Sequence, residues 1–258
     1  MRSLFPLVSL LVALACAQPR QIPAAETVGD TMRLPLTVAS DLNNPPFATT
    51  DDQGIPYGRD VEMMTRIAAT LGRPLHWKTM PFEELLESVA DSEVDIVCAT
   101  LGVTPERSRQ VLFTRPYFFT ELALVVRKGA GEPQSLDDLA GRRVAASEGT
   151  TSERAIRLYL TSSTGVFISE GEPSPVEQLL LGEVDALVMD RPAAEVLLAQ
   201  GEGSFQRLSR PIAPEHYALA VRPDAESLRI RLNQALSQLD DEGYLAELDR
   251  RYGLISTP

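Results

Sequence analysis

The stretch Ala99-Thr100-Leu101-Gly102-Val103-Thr104-Pro105-Glu106-Arg107 decides how this chain folds. It follows a short apolar run, Val94-Asp95-Ile96-Val97-Cys98, which is typical of a buried strand. Thr104 suits the N-cap of a helix and Pro105 its first position, so the pattern predicts a strand, a turn and a helix start. Arg107 would then lie in the first helical turn, at the carboxyl end of the strand, where open α/β sheets bind ligands. A guanidinium there is suited to a carboxylate, although Arg107 taken alone is more simply explained as a surface side chain.

Strands and helices alternate before this stretch. Apolar runs predict strands at 36–39 and 75–78, and a single apolar face predicts a helix at 59–71 that Gly72 ends. A second helix is predicted at 82–90. This βαβαβ order predicts a parallel sheet with right-handed crossovers.

A second α/β series begins after a long apolar strand at 121–127 and a loop that contains glycine and proline. Its predicted elements are, in chain order, a strand at 143–146, a helix at 151–160, a strand at 166–169, a helix at 176–181, a strand at 186–189 and a helix at 191–200. The sequence Glu93-Val94-Asp95-Ile96-Val97 of the first series recurs as Glu183-Val184-Asp185-Ala186-Leu187 in the second. This repetition favours two similar lobes over one long sheet.

The end of the chain is predicted to return to the first lobe. A strand is expected at 217–221 and a helical tail at 226–252, and the tail brings no strand series of its own. We therefore expect lobe I to comprise residues 34–119 and 217–258 and lobe II to comprise residues 120–216. The chain would cross between the lobes twice, and two crossings form a hinge that can open and close a cleft. The predicted fold class is α/β, with two lobes joined by a two-segment hinge.

The composition excludes several classes of function. The chain has 258 residues, of which 44% are hydrophobic and 23% charged, as in an ordinary globular protein. Asp and Glu outnumber Lys and Arg by 36 to 24, so no basic surface for nucleic acid is expected. Two histidines without an H-E-x-x-H motif or a cysteine pair argue against a metal site, and no Gly-rich phosphate loop or G-x-S-x-G elbow is present. We expect neither a metal nor a cofactor.

The first residues are typical of a bacterial export leader. Arg2 precedes an apolar run at 4–15 that is too short to span a bilayer as a helix. Two processing sites compete: Ala15-Cys16-Ala17 fits cleavage before residue 18, whereas Ala13-Leu14-Ala15-Cys16 is similar to a lipobox. In the second case Cys16 would be lipidated, and the short leader slightly favours this outcome.

Either processing route carries the protein out of the cytoplasm. We expect a leader at 1–16 and a tether at 17–33, rich in Pro, Gln and Ala near its start. A disulfide between Cys16 and Cys98 is not expected, since the first lies in the leader and the second in a strand predicted to be buried.

Two positions of the second lobe can serve either as helix caps or as ligand contacts. Gly149-Thr150-Thr151-Ser152-Glu153 opens a predicted helix, and Thr150 with Glu153 fits a capping box. The free amides of the same helix terminus could instead hold an anion. Asp190 ends a strand before Arg191-Pro192, so it could cap the next helix. Its carboxylate could equally face the cleft and pair with a cation.

Several short segments, taken in order, carry a resemblance to a known family. They are Asp41…Pro46-Phe47, Gly58-Arg59-Asp60-Val61-Glu62, Val94-Asp95-Ile96, Thr104-Pro105-Glu106-Arg107, Phe113-Thr114-Arg115-Pro116-Tyr117, Leu124-Val125-Val126-Arg127-Lys128-Gly129, Ser135-Leu136-Asp137-Asp138-Leu139, Gly149-Thr150-Thr151, Gly182-Glu183-Val184-Asp185-Ala186, Asp190 and Ala220-Val221-Arg222. From about residue 34 to residue 253 the chain resembles the bacterial extracellular solute-binding proteins of family 3, the polar amino-acid receptors of ABC importers. The resemblance implies the two-lobed periplasmic-binding-protein fold of type II. It also implies a protein that captures an amino acid between its lobes and presents it to a membrane permease.

The resemblance further implies roles for individual residues. Arg107 would bind the ligand α-carboxylate together with amides at Thr100 and Thr151, next to Thr150 at the same helix terminus. Asp190 would receive the α-ammonium group across the closed cleft.

The same resemblance places three residues in the side-chain pocket. Asp41, Asn44 and Phe82 would line it, although the first two are also ordinary turn formers and Phe82 could be core. Asp41 and Asn44 offer polar atoms, so a polar or cationic amino acid is the expected ligand.

Three residues depart from the family pattern. Gly102 stands where a Ser or Thr hydroxyl usually lies near the ammonium group, and Asn44 where an aromatic ring often stacks on the ligand. Arg59 replaces the aromatic residue of Gly-Phe-Asp, which is expected to alter the packing or the rim of the cleft.

Other functions remain open from the sequence. The same fold hosts cyclohexadienyl dehydratases, but dehydration needs a general acid or base and Asp190 is the one candidate in the cleft. Asp41-Leu42-Asn43-Asn44-Pro45-Pro46-Phe47 is also similar to accessory proteins of periplasmic quinoprotein dehydrogenases. We favour a monomeric binding protein that is not an enzyme, with an ABC permease as its partner.

Overall fold

The computed structural model describes residues 34–129, 131–168 and 173–254. The leader at 1–16, the tether at 17–33 and the lipidation candidate Cys16 lie outside the described residues and stay predictions. None of the helices within the described ranges is long and apolar enough to cross a bilayer.

Five strands form the first sheet. They are β1 (Leu36–Ser40), β4 (Leu75–Thr79), β5 (Ile96–Val97), β6 (Leu112–Phe113) and β13 (Ala220–Val221), in the spatial order β4-β1-β5-β13-β6. A separate hairpin consists of β2 (Thr49–Thr50) and β3 (Pro56–Tyr57). The strand β1 pairs in parallel with β4 and β5, which confirms the predicted parallel pairing, whereas β13 is antiparallel to β5 and β6.

Two helices connect the parallel strands of this sheet. They are α1 (Arg59–Leu71) and α2 (Phe82–Ala90), and both have the predicted bounds. Gly72 ends α1 in the left-handed region with a φ of 67°, as expected for a glycine at this position. The apolar face of α1 is fully buried in the core of the first lobe, with Met64 and Ile67 at its centre.

Six strands form the second sheet. They are β7 (Phe118–Arg127), β8 (Arg143–Ser147), β9 (Thr164–Ile168), β10 (Ala186–Asp190), β11 (Phe205–Arg207) and β12 (Ala213–Tyr217). The order is β11-β7-β10-β8-β9, and β12 also pairs with β7. The helices α3 (Thr151–Tyr159), α4 (Pro175–Leu181) and α5 (Arg191–Gln200) pack on this sheet. Strands and helices alternate here as the second α/β series predicts.

The two segments that cross between the sheets lie side by side. The strands β7 and β12 are antiparallel, with Tyr217 opposite Phe118 and Ala213 opposite Leu122. Among the described residues, the hydrophobic clusters on either side of this pair have no member in common. Each sheet therefore has its own core, and the chain passes from one to the other through β7 and β12.

The end of the chain packs on the first lobe as two helices, α6 (Glu226–Asp241) and α7 (Tyr244–Arg251). Both contact α1, and Leu232, Leu236 and Leu248 belong to the same core as α1. The single predicted tail helix is interrupted at Gly243, which has a φ of 71°, a backbone angle that glycine adopts readily.

A buried ion-pair network ties α7 to the start of α1. The fully buried Arg59 donates from Nε to Asp249 (2.9 Å) and from Nη2 to the backbone oxygen of Tyr117 (3.2 Å). Asp60 accepts from the Tyr117 hydroxyl at 2.6 Å. Of the two expectations for Arg59, the effect on packing is confirmed, because its side chain is buried in this network. The expectation that it lies at the rim of the cleft is wrong.

Three elements differ from the sequence prediction because tertiary pairing overrides local pattern. The strand β5 is only two residues long, and the chain turns at Thr100, which has a φ of 48°. The helix expected after Pro105 is a single 3₁₀ turn at Arg107–Arg109, because the chain enters β6 shortly afterwards. The strand expected at 217–221 is divided between β12 and β13, since the chain passes from the second sheet to the first there.

Candidate functional site

A cavity of about 580 Å³ lies between the two lobes, at the carboxyl ends of β1, β5, β8 and β10. Its lining includes all the ligand-binding residues expected from the sequence. These are Asp41, Asn44, Phe82, Thr100, Gly102, Arg107, Thr150, Thr151 and Asp190. Their position agrees with the general rule that open α/β sheets bind ligands beyond the carboxyl ends of their strands.

Arg107 is held by the backbone of both lobes. The Thr104 side chain accepts a hydrogen bond from the Arg107 amide (3.1 Å), but the N-cap residue of the 3₁₀ turn is Glu106, so the prediction of Thr104 as the N-cap is wrong. Arg107 donates from Nη1 to the Gly102 oxygen (2.7 Å) and from Nη2 to the Gly149 oxygen in the second lobe (3.0 Å). Its guanidinium carbon lies 5.6 Å from the centre of the Phe82 ring. A guanidinium has five N–H groups, so these contacts orient it and leave donors for a carboxylate.

Burial is the largest influence on the charge of Arg107, and its net effect is a lowered pKa. Burial lowers the pKa of its guanidinium, whereas the nearby carboxyl groups of Glu215 and Asp190 raise it. An arginine keeps its charge under such conditions because its reference pKa is above 12. The cavity therefore holds a fixed positive charge on its first-lobe wall.

Thr100 and Asn44 form one unit on the first-lobe wall. The Asn44 side-chain amide donates to the Thr100 hydroxyl at 2.6 Å. Thr100 has a φ of 48°, which is rare for a β-branched residue. Such backbone conformations cost free energy and cluster at functional sites, where surrounding contacts maintain them.

The start of α3 lines the second-lobe wall. The Thr150 hydroxyl accepts from the Glu153 amide (3.3 Å), as a capping residue does. A capping box also requires the Glu153 carboxylate to accept from the Thr150 amide. This part of the prediction is wrong, because the carboxylate accepts from the Gly149 amide (2.8 Å). Thr151, the first residue of α3, lines the cavity beside this cap.

Asp190 is directed away from the helix that it precedes. It occupies the N-cap position of α5 but makes no side-chain capping hydrogen bond, so the capping interpretation of its side chain is wrong. Burial raises the pKa of the Asp190 carboxyl to about 6, against the opposing effects of the neighbouring Tyr217 hydroxyl and of Arg107. A buried carboxyl facing the cavity is what the alternative interpretation, a cation partner, requires.

Glu215 is the residue that the sequence interpretation missed. It lies on β12, is 6% exposed, and its Oε1 atom occupies the place that a Cβ atom at Gly102 would take. Burial, and then the Asp190 charge, raise the pKa of the Glu215 carboxyl to about 8, while Thr151, Arg107 and Arg154 oppose the rise. Two features of the sequence could have pointed to Glu215. It alternates with Tyr217 along the second segment that crosses between the lobes, and Gly102 lacks the side chain that would otherwise fill the space beside it.

Acidic side chains predominate around the cavity. Among the described residues that line it, Asp41, Glu83, Glu148 and Asp190 are acidic and Arg107 is basic. Glu215 adds a further carboxyl behind Gly102 and Thr151. The cavity therefore carries more acidic than basic side chains around its described lining.

The lobes touch each other at the mouth of the cavity. The hydrogen bond from Arg107 to Gly149 crosses from the first lobe to the second. Glu106 and Arg154 form a second crossing contact, an ion pair at 3.2 Å between largely exposed side chains. These two contacts bridge the lobes beside the cavity.

The sequence of residues 36–255 matches the family model of bacterial extracellular solute-binding proteins, family 3. This chain belongs to that family. It is 26% identical to the L-cystine-binding protein TcyJ of Escherichia coli strain K12 over 218 residues, covering 84% of this chain and 82% of the relative. It is 24% identical to the lysine/arginine/ornithine-binding periplasmic protein of the same organism, covering 95% and 94%.

Solved structures confirm the two-lobed α/β fold. An ancestral arginine-binding protein bound to arginine superposes with a TM-score of 0.78 at 28% identity, covering 86% of this chain and 99% of that structure. An ancestral amino acid-binding protein described as a precursor of cyclohexadienyl dehydratase superposes with a TM-score of 0.77, covering 87% and 97%. At 24% identity the latter likeness shows the fold alone.

Proposed function

We propose that this protein captures an amino acid with a positively charged side chain between its lobes and delivers it to an ABC permease. The acidic lining of the cavity around the single arginine carries the proposal: Asp41, Glu83, Glu148 and Asp190 surround Arg107 in the described part of the wall. An amino acid with a cationic side chain has two positive groups and one negative group, which matches this pattern. The arginine-binding and lysine/arginine/ornithine-binding relatives support the same class of ligand.

The proposed ligand orientation follows from the charges. The α-carboxylate would bind the remaining guanidinium donors of Arg107 and the amides at Thr100 and Thr151. The α-ammonium group would face Asp190 on the opposite wall. The side chain would extend towards Asp41 and Asn44, with its methylene groups against the Phe82 ring.

The molecular setting is proposed from the same fold. Lobe I would comprise residues 34–119 and 217–258, and lobe II would comprise residues 120–216. The two lobes would rotate relative to each other about the antiparallel pair of β7 and β12. The protein would act as a monomer outside the cytoplasm, as a periplasmic protein or, if Cys16 is lipidated, anchored to the membrane.

A thermal-shift screen tests this function. Arginine, lysine and ornithine are compared with glutamine, histidine, cystine, leucine and valine at equal concentration. A ligand present at 100 times its dissociation constant adds about 2.7 kcal/mol to the free energy of unfolding. We expect the cationic amino acids to raise the melting temperature most, whereas a larger shift with leucine or valine contradicts the proposal.

A dehydratase is the second candidate, because two buried carboxyl groups with raised pKa values lie at the cavity, that of Asp190 in its wall and that of Glu215 behind Gly102 and Thr151. A carboxylic acid that holds its proton near neutral pH can act as a general acid, and Arg107 beside it could bind a substrate carboxylate. Incubation of the purified protein with prephenate or arogenate distinguishes the candidates. A binding protein leaves both compounds unchanged, while an enzyme converts them in many turnovers.

A further inference from the structure

We propose that Glu215 is a second carboxylate of the ammonium subsite and holds the ligand α-ammonium group together with Asp190. This inference rests on the proposed function and adds to the site a residue that lies against the cavity-lining Gly102 and Thr151, just outside the lining itself. A Ser or Thr hydroxyl usually lies at the position of Gly102 in this family. In this protein the Glu215 carboxylate, which comes from β12 in the hinge, would take the place of that neutral hydroxyl.

The first argument is the close approach between Glu215 and Gly102. A Cβ atom on Gly102 would collide with Oε1 of Glu215, and it would lie 2.8 Å from the Thr151 Cγ2 atom. Residues 101–103 run beside the end of β12, with hydrogen bonds from Val103 N to His216 O (3.1 Å) and from Ala218 N to Leu101 O (3.2 Å). A side chain at position 102 is therefore incompatible with the observed position of the Glu215 carboxyl.

The second argument is the face of the hinge on which Glu215 lies. In the antiparallel pair Glu215 stands opposite Thr120, and Tyr217 follows two residues later on the same face. The Tyr217 hydroxyl on this face lies beside the Asp190 carboxyl, and the buried Thr120 hydroxyl has no hydrogen-bond partner among the described residues. Buried polar atoms normally have partners, so the unpartnered Thr120 hydroxyl opposite Glu215 marks this face of the hinge as a polar one.

The third argument is the lack of a bonded cation at a buried carboxyl. Within the described residues Glu215 forms no ion pair with a nitrogen closer than 4.0 Å. The charged groups that act on it are Asp190 on β10, Arg107 after β5 and Arg154 on α3, and the Thr151 hydroxyl faces it from the same helix. Ionising a buried carboxyl that has no close cation costs free energy, and a ligand ammonium group between Glu215 and Asp190 would supply that cation.

The pKa directions give this arrangement a measurable consequence. Burial and Asp190 raise the pKa of Glu215 to about 8, so the empty site holds a proton on this carboxyl at pH 7. An ammonium group favours the ionised carboxylate. Binding should therefore release a proton, and affinity should increase as the pH rises from 6 towards 8.

Calorimetry of arginine binding at pH 7, in two buffers of different ionisation enthalpy, measures this proton release. We expect the wild-type protein to release protons, and Glu215→Gln to bind about 10- to 100-fold more weakly, the effect of losing one charge-assisted hydrogen bond. The variant should also release fewer protons than the wild type. The matched control is Glu121→Gln on β7, where Glu121 pairs with Arg191 (3.4 Å) on the opposite face of the hinge, and we expect it to leave both quantities unchanged.

A reciprocal pair of variants separates a binding role from a packing role. Gly102→Ser alone should disturb the site, because its Cβ atom meets Glu215. Gly102→Ser combined with Glu215→Ala should bind arginine more tightly and be more stable than Gly102→Ser alone, because the contact with Glu215 is removed and a hydroxyl takes the place of the carboxylate. Its proton release should remain low, as in Glu215→Gln.

The outcomes distinguish this inference from the function on which it rests. If the wild type binds arginine and Glu215→Gln binds it equally well with the same proton release, Glu215 is not part of the subsite, while the proposed function stands. If the wild type binds none of the cationic amino acids, the proposed function fails and the inference fails with it.

Discussion

Arg107 donates hydrogen bonds to two backbone carbonyl groups, and its remaining N–H groups are available to the ligand in the proposed function. Its Nη atoms contact the Gly102 and Gly149 oxygens, which set the plane of the guanidinium. A lysine at this position keeps the charge, but its single ammonium group cannot contact two carbonyls and a carboxylate in the same plane. The geometry of the group, more than its charge, distinguishes the residue.

Arg107→Lys should therefore weaken ligand binding by about 10- to 100-fold, since a charge-assisted hydrogen bond is worth about 1.5–3 kcal/mol. The melting temperature of the ligand-free protein should change little. Calorimetry with the ligand found by the screen measures the loss. Arg109→Lys, on an exposed residue of the same 3₁₀ turn, is the control and should bind normally.

The pKa of Glu215 predicts how the stability of the ligand-free protein depends on pH. The folded-state pKa is raised from 4.5 to about 8, so between these values the folded protein holds a proton that the unfolded chain has lost. Stability then decreases as the pH rises through this window, and Asp190, raised from 3.8 to about 6, acts in the same direction.

Glu215→Gln should remove the larger part of this dependence. At pH 8.5 we expect the variant to be more stable than the wild type by on the order of 1–3 kcal/mol, and at pH 5 we expect near equality. Urea unfolding at the two pH values measures the difference. A wild type whose stability rises between pH 5 and pH 8.5 relative to the variant would contradict the assignment.

At the scale of elements, the strand β10 and the helix α5 meet at Asp190 without using its side chain as a cap. Pro192 lies in the first turn of α5, where its fixed φ favours the helix start. The helix start therefore depends on its backbone and proline, which leaves the Asp190 carboxyl to the cavity.

Asp190→Asn should consequently leave α5 intact while removing the charge that an ammonium group needs. We expect ligand affinity to fall by at least about tenfold. Thermal unfolding of the ligand-free variant should be unchanged or slightly higher, because a buried carboxyl with a raised pKa is replaced by a neutral amide. A loss of helical circular dichroism would instead indicate a capping role.

Elements with strong local signals could be predicted from the sequence, and those set by tertiary contacts could not. The helix α1 has an amphipathic face and a terminating glycine, and α5 has Pro192 at its start, so both were predicted with the observed bounds. The division of 217–221 depends on where the chain changes sheets, which no local pattern encodes. Glu215 was missed for the same reason: its importance arises from the backbone of Gly102, more than a hundred positions earlier.

At the scale of the whole molecule, ligand binding is expected to bring the lobes together. Contacts that cross the cleft include the Arg107–Gly149 hydrogen bond and the exposed Glu106–Arg154 ion pair. A charge-assisted hydrogen bond contributes about 1.5–3 kcal/mol and an exposed ion pair about 0–1 kcal/mol, so these two contacts favour closure only modestly. The ligand, which touches both walls in the proposed orientation, would supply the remaining free energy.

Small-angle X-ray scattering should detect this closure. We expect the radius of gyration to be smaller with a saturating cationic amino acid than without it, as two lobes rotate about a hinge. An acidic amino acid at the same concentration is the control and should produce no change. Superimposable curves with a ligand that calorimetry shows to be bound would mean that the lobes form one fixed body.

The ion pair between Arg59 and Asp249 joins residues 190 positions apart. The first lobe is built from two segments that lie far apart in the sequence, so its core forms only when these segments meet. The sheet that contains β7 and β12, in contrast, comes from one continuous segment of the chain. The cavity between the lobes therefore depends on contacts that span almost the whole described chain, and closing such long loops slows folding.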